Sequence, residues 1–279
     1  MPGYVVAAVL LGALFHASWN AMVKSGRDSY LNTVMVALGG MLLSAFALPF
    51  LPAPSQASWI YIGVSSAVQV VYYMLLAATY RDGDMSHAYP LMRGSAPLLV
   101  GIASLPLMGE ALRPMQWLSI VVICSGIFIM YFSAGRQPHA GRTTLLALST
   151  AMMIAAYTLI DGAGVRLSGS ALSYSMWIFM LTGAGFWIVA ARERPGEIVA
   201  YAKANPRILI LGGIGTIGSY TIALWAMTKA PVAAVAALRE TSILFATGIA
   251  VFVLKEKIAR SRLAAVAVIA IGAACMRLA

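Results

Sequence analysis

The chain has 279 residues, of which 61% are hydrophobic and 10% charged, with a mean hydropathy of +0.86. A soluble protein of this size needs a far more polar surface, so the composition excludes an ordinary water-soluble enzyme or binding module. The net charge of +10 is spread over short segments between apolar runs, which reads as membrane topology and not as a nucleic-acid-binding face.

Residues 1–23 contain no Asp, Glu, Lys or Arg, and neither do residues 29–80. One helical crossing takes roughly 20 residues, so the second run holds two crossings with a turn near Pro49, Pro52 and Pro54. The first run is too long for a signal peptide and lacks a charged leading region, so it reads as the first span. In chain order the predicted spans are 4–23, 31–51, 57–79, 84–107 and 115–133, then 142–160, 170–190, 208–228, 231–253 and 261–278. Each is predicted as a helix, because a helix satisfies its backbone groups within its own segment. The link between the fifth and sixth spans is Gly135-Arg136-Gln137-Pro138-His139, and the longest loop is 191–207. Cys124 and Cys275 each fall mid-span, where apolar packing is expected in place of a disulfide or a metal site. No metal or other cofactor is implied.

An internal repeat organises these spans. Arg93 and Glu110 recur as Arg239 and Glu256 at an offset of 146, as do Gly126 and Met130 at Gly272 and Met276. The expected architecture is an all-α membrane protein of ten transmembrane helices in two five-helix repeats, 1–135 and 136–279. Five crossings are an odd number, so the second repeat starts on the opposite side and the two are inverted, with a substrate site expected between them near the midplane. The side shared by both termini carries Arg113, Arg166, Lys229 and Arg277, whereas thirteen of the 19 basic residues lie on the other side. The positive-inside rule places that basic side in the cytoplasm and both termini outside. The expected location is the bacterial inner (plasma) membrane, multi-pass. The expected partners are the lipid bilayer and a small-molecule substrate, with no nucleic acid, and the chain is expected to be a monomer or weak dimer.

Arg93 and Arg239 lead the candidate site residues, because a charge at membrane depth costs about 2.5–3.5 kcal/mol on insertion scales and so faces protein or water. Either they bind a carboxylate or phosphonate through their planar forks, or they pair with Glu240, Asp161 or backbone carbonyls and lock the fourth span to the ninth. Asp161, four residues from Tyr157 and on the same face, is a candidate proton carrier or amine ligand. The alternative is an interfacial, hydrated acid, or one that caps a helix break at Gly162 and Gly164. Glu240 is the second candidate proton carrier. His16, Trp19 and Asn20 are placed on the substrate, or else bond to a neighbouring helix; His87 reads as solvated. Tyr73, Tyr89, Tyr220 and Trp225 are further cavity candidates, with Tyr72 and Trp177 read partly as interfacial belt residues. Pro90 and Pro97 flank Arg93 and weaken the ladder of its helix, which suits gating. Pro231 reads as a first-turn residue. The Gly212, Gly213, Gly215 and Gly218 cluster favours close packing or sliding.

Several stretches resemble the drug/metabolite transporter superfamily in its ten-helix EamA branch. They are His16-Ala17-Ser18-Trp19-Asn20 with Lys24, Leu107-Met108-Gly109-Glu110, Leu254-Lys255-Glu256 with Lys in place of Gly, and Gly126 with Gly272. Residues 80–97, YRDGDMSHAYPLMRGSAP, are similar to one subgroup. The resemblance covers the whole chain and implies a secondary transporter working by alternating access, with amino-acid export as the first expectation. Uptake of a quaternary amine or aminophosphonate is the second. No nucleotide-binding GxxxxGK[ST] motif occurs. The motifs of intramembrane serine and aspartyl proteases are also missing: Gly94-Ser95, Ser125-Gly126 and Gly218-Ser219 do not fit the first, and Asp82-Gly83-Asp84 lies at a loop. The expectation is therefore not an enzyme.

Overall fold

The computed structural model describes residues 1–25, 28–82, 85–133, 140–252, 255 and 259–279. Glu256, the side chains of Lys24 and His87, the acidic pair in Asp82-Gly83-Asp84 and the link 135–139 lie outside what is described, so the expectations placed on them are not developed further. The described residues form twelve α-helices and two short 3-10 turns. Ten stretches are long and apolar enough to cross a membrane, the number expected from the apolar runs.

The first repeat comprises α1 (Gly3–Ser25), α2 (Ser29–Ala47), α3 (Trp59–Asp82), α4 (Met85–Met108) and α5 (Pro114–Ser133). Asp28 starts α2 by accepting the Leu31 N–H at 3.0 Å. The prolines at 49, 52 and 54 fall in the turn after it, where a helix cannot continue. The second repeat comprises α6 (Ala140–Ser168), α7 (Ala171–Glu193), a short surface helix α8 (Glu197–Ala204) inside the longest loop, α9 (Pro206–Met227), α10 (Val232–Arg239), α11 (Ser242–Phe252) and α12 (Arg260–Leu278).

Two expectations are corrected here. The sixth span runs on past residue 160 to Ser168 without interruption, so Gly162 and Gly164 do not break it. They are points of close approach instead: a side chain at Gly162 would meet Val232, and one at Gly164 would meet Tyr61 and Tyr174. The ninth span, expected as one helix, is two. At its break the N–H groups of Glu240 and Thr241 bond three residues back, to Ala237 and Leu238, each at 3.0 Å. The Thr241 hydroxyl also bonds the Leu238 carbonyl, at 2.6 Å, and competes with the helical ladder.

The repeats are interleaved. α1 of the first packs on α9 of the second, and the contact related to this one by the repeat is that of α6 with α3; α2 meets α7, and α5 meets α12. At the α5–α12 contact the symmetry reaches single residues. A Cβ on Gly126 would stand 2.8 Å from Ile269, and one on Gly272 would stand 2.7 Å from Ile123, the residue related to Ile269 by the repeat. Gly39 of α2 and Gly213 of α9 bring two backbones together, and Gly215 admits Trp19. In a membrane, where helix association relies on close packing, small residues at such points set the interhelical distance.

Candidate functional site

The elements above leave a cavity that opens on the basic side. Its outer part, about 540 Å³, lies between the start of α2, the end of α3 and the end of α7, with Ser29, Tyr30, Thr33, Tyr73, Phe186, Glu193 and Arg194 on its wall. Its inner part, about 60 Å³, is lined by His16, Trp19 and Asn20 of α1, Tyr72 and Tyr73 of α3, Tyr89, Met92 and Arg93 of α4, and Ile154 of α6. The two parts adjoin, with Ser29, Thr33, Tyr73 and Leu76 on the walls of both.

Aromatic rings lead inward from the opening. Tyr73 stacks on Phe186 at 4.8 Å and meets Tyr72 at 5.1 Å; Tyr72 meets Tyr157 at 5.6 Å, and Tyr157 meets Tyr220 at 6.2 Å. The two inner contacts are edge-on, which suits the ring quadrupoles and holds each ring in place.

The two repeat-related arginines sit in different surroundings. Arg93 Nε lies 2.8 Å from Glu240 Oε2, with both side chains nearly buried, at 11% and 6% exposure. The approach is oblique, so neither atom completes a hydrogen bond through it. Arg239 has no carboxylate within ion-pair distance among the described residues; its Cζ lies over the Tyr220 ring, 5.1 Å from the centroid. The charges of both arginines reach His16, Tyr157 and Glu240. His16 stands edge-on to Trp19 at 5.1 Å, and Asn20 Nδ2 donates to the His16 carbonyl at 2.8 Å within its own helix. Trp19 Nε1 is buried without an acceptor.

Asp161 lies deeper, towards the termini side, and is fully buried. The readings of it as a hydrated interfacial acid or as the cap of a helix break are therefore corrected. Tyr174 donates to its Oδ1 at 3.0 Å, Gln69 donates to its Oδ2 at 3.2 Å, and Tyr220 donates to Oδ2 as well. Three donors on one carboxylate are what its burial requires. Gln69 and Tyr174 were not foreseen. The one sequence signal was Gln69 itself, an amide inside an apolar run; Tyr174 reaches Asp161 only because α6 and α7 pack past Gly164.

Beyond Asp161, on the termini side, an ion pair ties the helix ends together. Arg166 at the end of α6 pairs with Glu110, which follows α4, and also donates to the carbonyls of Met227 at 2.9 Å and Ala230 at 3.2 Å. The other Glu110 oxygen accepts the Val232 N–H at 2.8 Å, in the first turn of α10. One ion pair from the two repeats thus caps the end of α9 and the start of α10 together. Arg166 was counted from sequence only as a loop charge.

Of the residues proposed for substrate, His16, Trp19, Asn20, Tyr73, Tyr89 and Arg93 line the inner cavity. Tyr157, Tyr220 and Arg239 form the layer beneath it, with Asp161 below. Trp225 is not brought to the cavity; it packs on Tyr4 at 6.2 Å near the end of α9, as an interfacial ring does. Pro90 and Pro97 lie inside an α4 that continues through both, and Pro231 stands immediately before α10 as its N-cap.

The family model for the EamA-like transporter family matches residues 3–132 and again 141–278, one match per repeat. No curated protein sequence matches the chain. A solved structure described as "Crystal structure of protein" is similar in fold, with a TM-score of 0.75 at 19% identity over 98% of each chain. Two family matches, ten spans and an interleaved inverted repeat agree: the chain belongs to the EamA-like transporter family and is a multi-pass membrane transporter of small molecules.

Proposed function

We propose that the protein moves amino acids across the bacterial inner membrane by alternating access, and that it exports them. The observation that carries this reading is Arg239, a guanidinium deep in a span with no ion-pair partner among the described residues. A carboxylate is the small group that best matches its planar fork. The cavity above it is walled by aromatic rings and by Met92 and Ile154, which accommodate an apolar side chain. The direction rests on the opening: the cavity faces the basic side, which the distribution of charge assigns to the cytoplasm, so a cytoplasmic solute loads first.

The same reading makes Asp161 the carrier of a coupling proton, since it is buried within one ring, Tyr220, of Arg239. Pro90 and Pro97 are assigned to bending α4 during the switch. A second reading, uptake of a quaternary amine or aminophosphonate, is favoured by the ring-lined wall of Trp19, Tyr72, Tyr73 and Tyr89, because rings stabilise cations.

Proteoliposomes loaded with a labelled mixture of amino acids test the proposal. Saturable efflux of particular amino acids is expected, abolished in folded Arg239→Ala. Its dependence on a proton gradient should vanish in Asp161→Asn. Absence of flux of every amino acid from folded protein would overturn the substrate assignment, and the vesicles would then be loaded with choline and 2-aminoethylphosphonate.

A further inference from the structure

Resting on the reading that the substrate carries a carboxylate near Arg239, we infer that the Arg93–Glu240 ion pair is a split clamp: it opens around a zwitterion, whose carboxylate goes to the arginines and whose ammonium goes to Glu240. Glu240 then decides that the substrate is an amino acid and not a simple carboxylic acid.

Symmetry supplies the first argument. Arg93 and Arg239 are equivalent by the repeat, but the residue equivalent to Glu240 is Gly94. A lock between the repeats would call for an acid in both; here one acid serves two arginines. The upper layer of the site therefore holds one acid in contact with an arginine, for two arginines; Asp161 acts on Arg239 only from beyond the Tyr220 ring, with its oxygens held by Gln69, Tyr174 and Tyr220. A substrate carboxylate gives Arg239 the contacting partner it lacks. It also displaces Glu240 from Arg93, which leaves a buried carboxylate in need of a cation. An ammonium on the same molecule meets that need.

Geometry supplies the second. The Arg93–Glu240 contact is close, at 2.8 Å, but off the donor direction. A pair that existed only for stability would be expected to align its hydrogen bonds. Trp19 Nε1 adds an unused buried donor on the cavity wall, suited to a carboxylate oxygen. The third argument is position. Glu240 stands at the break between α10 and α11, where backbone bonds already run three residues back. Its departure from Arg93 therefore moves the one point of the ninth span that is not held by a regular helical ladder, and ties the recognition of the ammonium to a change in that span.

The test is counterflow in proteoliposomes with the amino acid transported best from an equimolar labelled mixture of the twenty. Competitors are its deamino acid and its decarboxylated amine. Wild-type protein is expected to prefer the amino acid over the deamino acid by at least about ten-fold, equivalent to about 1.4 kcal/mol. Folded Glu240→Gln is expected to lose that preference while still taking the deamino acid, and Glu240→Asp to keep most of it. Arg239→Gln should lose both solutes. An unchanged preference in folded Glu240→Gln overturns the clamp and leaves the amino-acid reading standing. Should Glu240→Gln not fold, the wild-type competition decides: a deamino acid taken as well as the amino acid overturns the clamp. Absence of flux for both solutes overturns the underlying reading, and the clamp with it.

Discussion

The two ends of the molecule are each tied together by different means. On the termini side, Glu110 and Arg166 bind each other and at the same time cap two helices of the second repeat, and Val232 to Leu238 behind them are almost wholly buried. On the basic side, Asp28 pairs with Arg194 at 2.5 Å and Tyr30 donates to Glu193 at 2.7 Å, all on the rim of an opening of about 540 Å³. One set of contacts joins buried backbone ends of helices; the other joins side chains in water. The difference teaches that the helix ends on the termini side are tied through their backbone, whereas the opening on the basic side is only edged by side-chain contacts.

The sharpest way to break the contrast is at the latch. Glu110→Ala removes the acceptor of the Val232 N–H and leaves the Arg166 guanidinium with backbone carbonyls but no carboxylate. For a mostly buried, partly screened pair this should cost about 1–3 kcal/mol. On the alternating-access mechanism proposed above, the loss falls on this conformation alone and the population should move towards one open on the termini side. A cysteine at Tyr89 should then react more slowly with a charged thiol reagent added from the basic side, and melting temperature should fall. Glu110→Ala with unchanged labelling from that side would show that the pair stabilises both conformations equally. The equivalent change at the other end, Arg194→Ala, should leave labelling as it was.

The ends also share a turn, which allows a finer comparison. Gly109, after α4, has φ of +69°, and Lys255, its equivalent by the repeat, has φ of +53°. An L-residue in this left-handed region costs roughly 1–2 kcal/mol, whereas glycine enters it freely. Lys255→Gly should therefore raise stability by about 1 kcal/mol, and Gly109→Ala should lower it by a similar amount. Melting in detergent measures both. Equal and opposite shifts support the repeat down to this turn. A fall in stability with Lys255→Gly would mean that the lysine side chain contributes more than its backbone costs.

How much of this was legible in the sequence depends on the distance over which each feature is decided. The spans were, because roughly 20 apolar residues in a row have few other uses. The repeat was, because Arg93, Gly126 and Glu110 recur at one offset. The extra length of α6 was not: Arg166 reads as a loop charge, and Asp161 stays open between a proton carrier and an interfacial acid, until α3, α7 and α9 supply their partners. The break at Glu240 was not, since Leu238 to Ser242 contains neither Gly nor Pro, and what competes with the helix there is the Thr241 hydroxyl. The pairing of Arg93 with Glu240 was one of several options that sequence left open, and only the packing of α10 on α4 selects it.

The smallest expected effect tests the open rim. Burial acts to raise the Asp28 carboxyl, but the Leu31 N–H and the Arg194 guanidinium outweigh it and hold it below the usual carboxylate value. A carboxyl lowered in the folded state adds stability that is present above its unfolded value, about 3.9, and disappears as pH falls through the lower folded one. Asp28→Asn keeps a residue able to cap α2 and removes only the charge. It should lower stability at neutral pH by under about 1 kcal/mol, since a pair this exposed is screened by solvent. The gap between the two proteins should narrow as pH drops below about 4, where the aspartate of the wild type begins to lose its charge as well. A gap that stays constant down to acid unfolding would assign the effect to the cap and not to the ion pair.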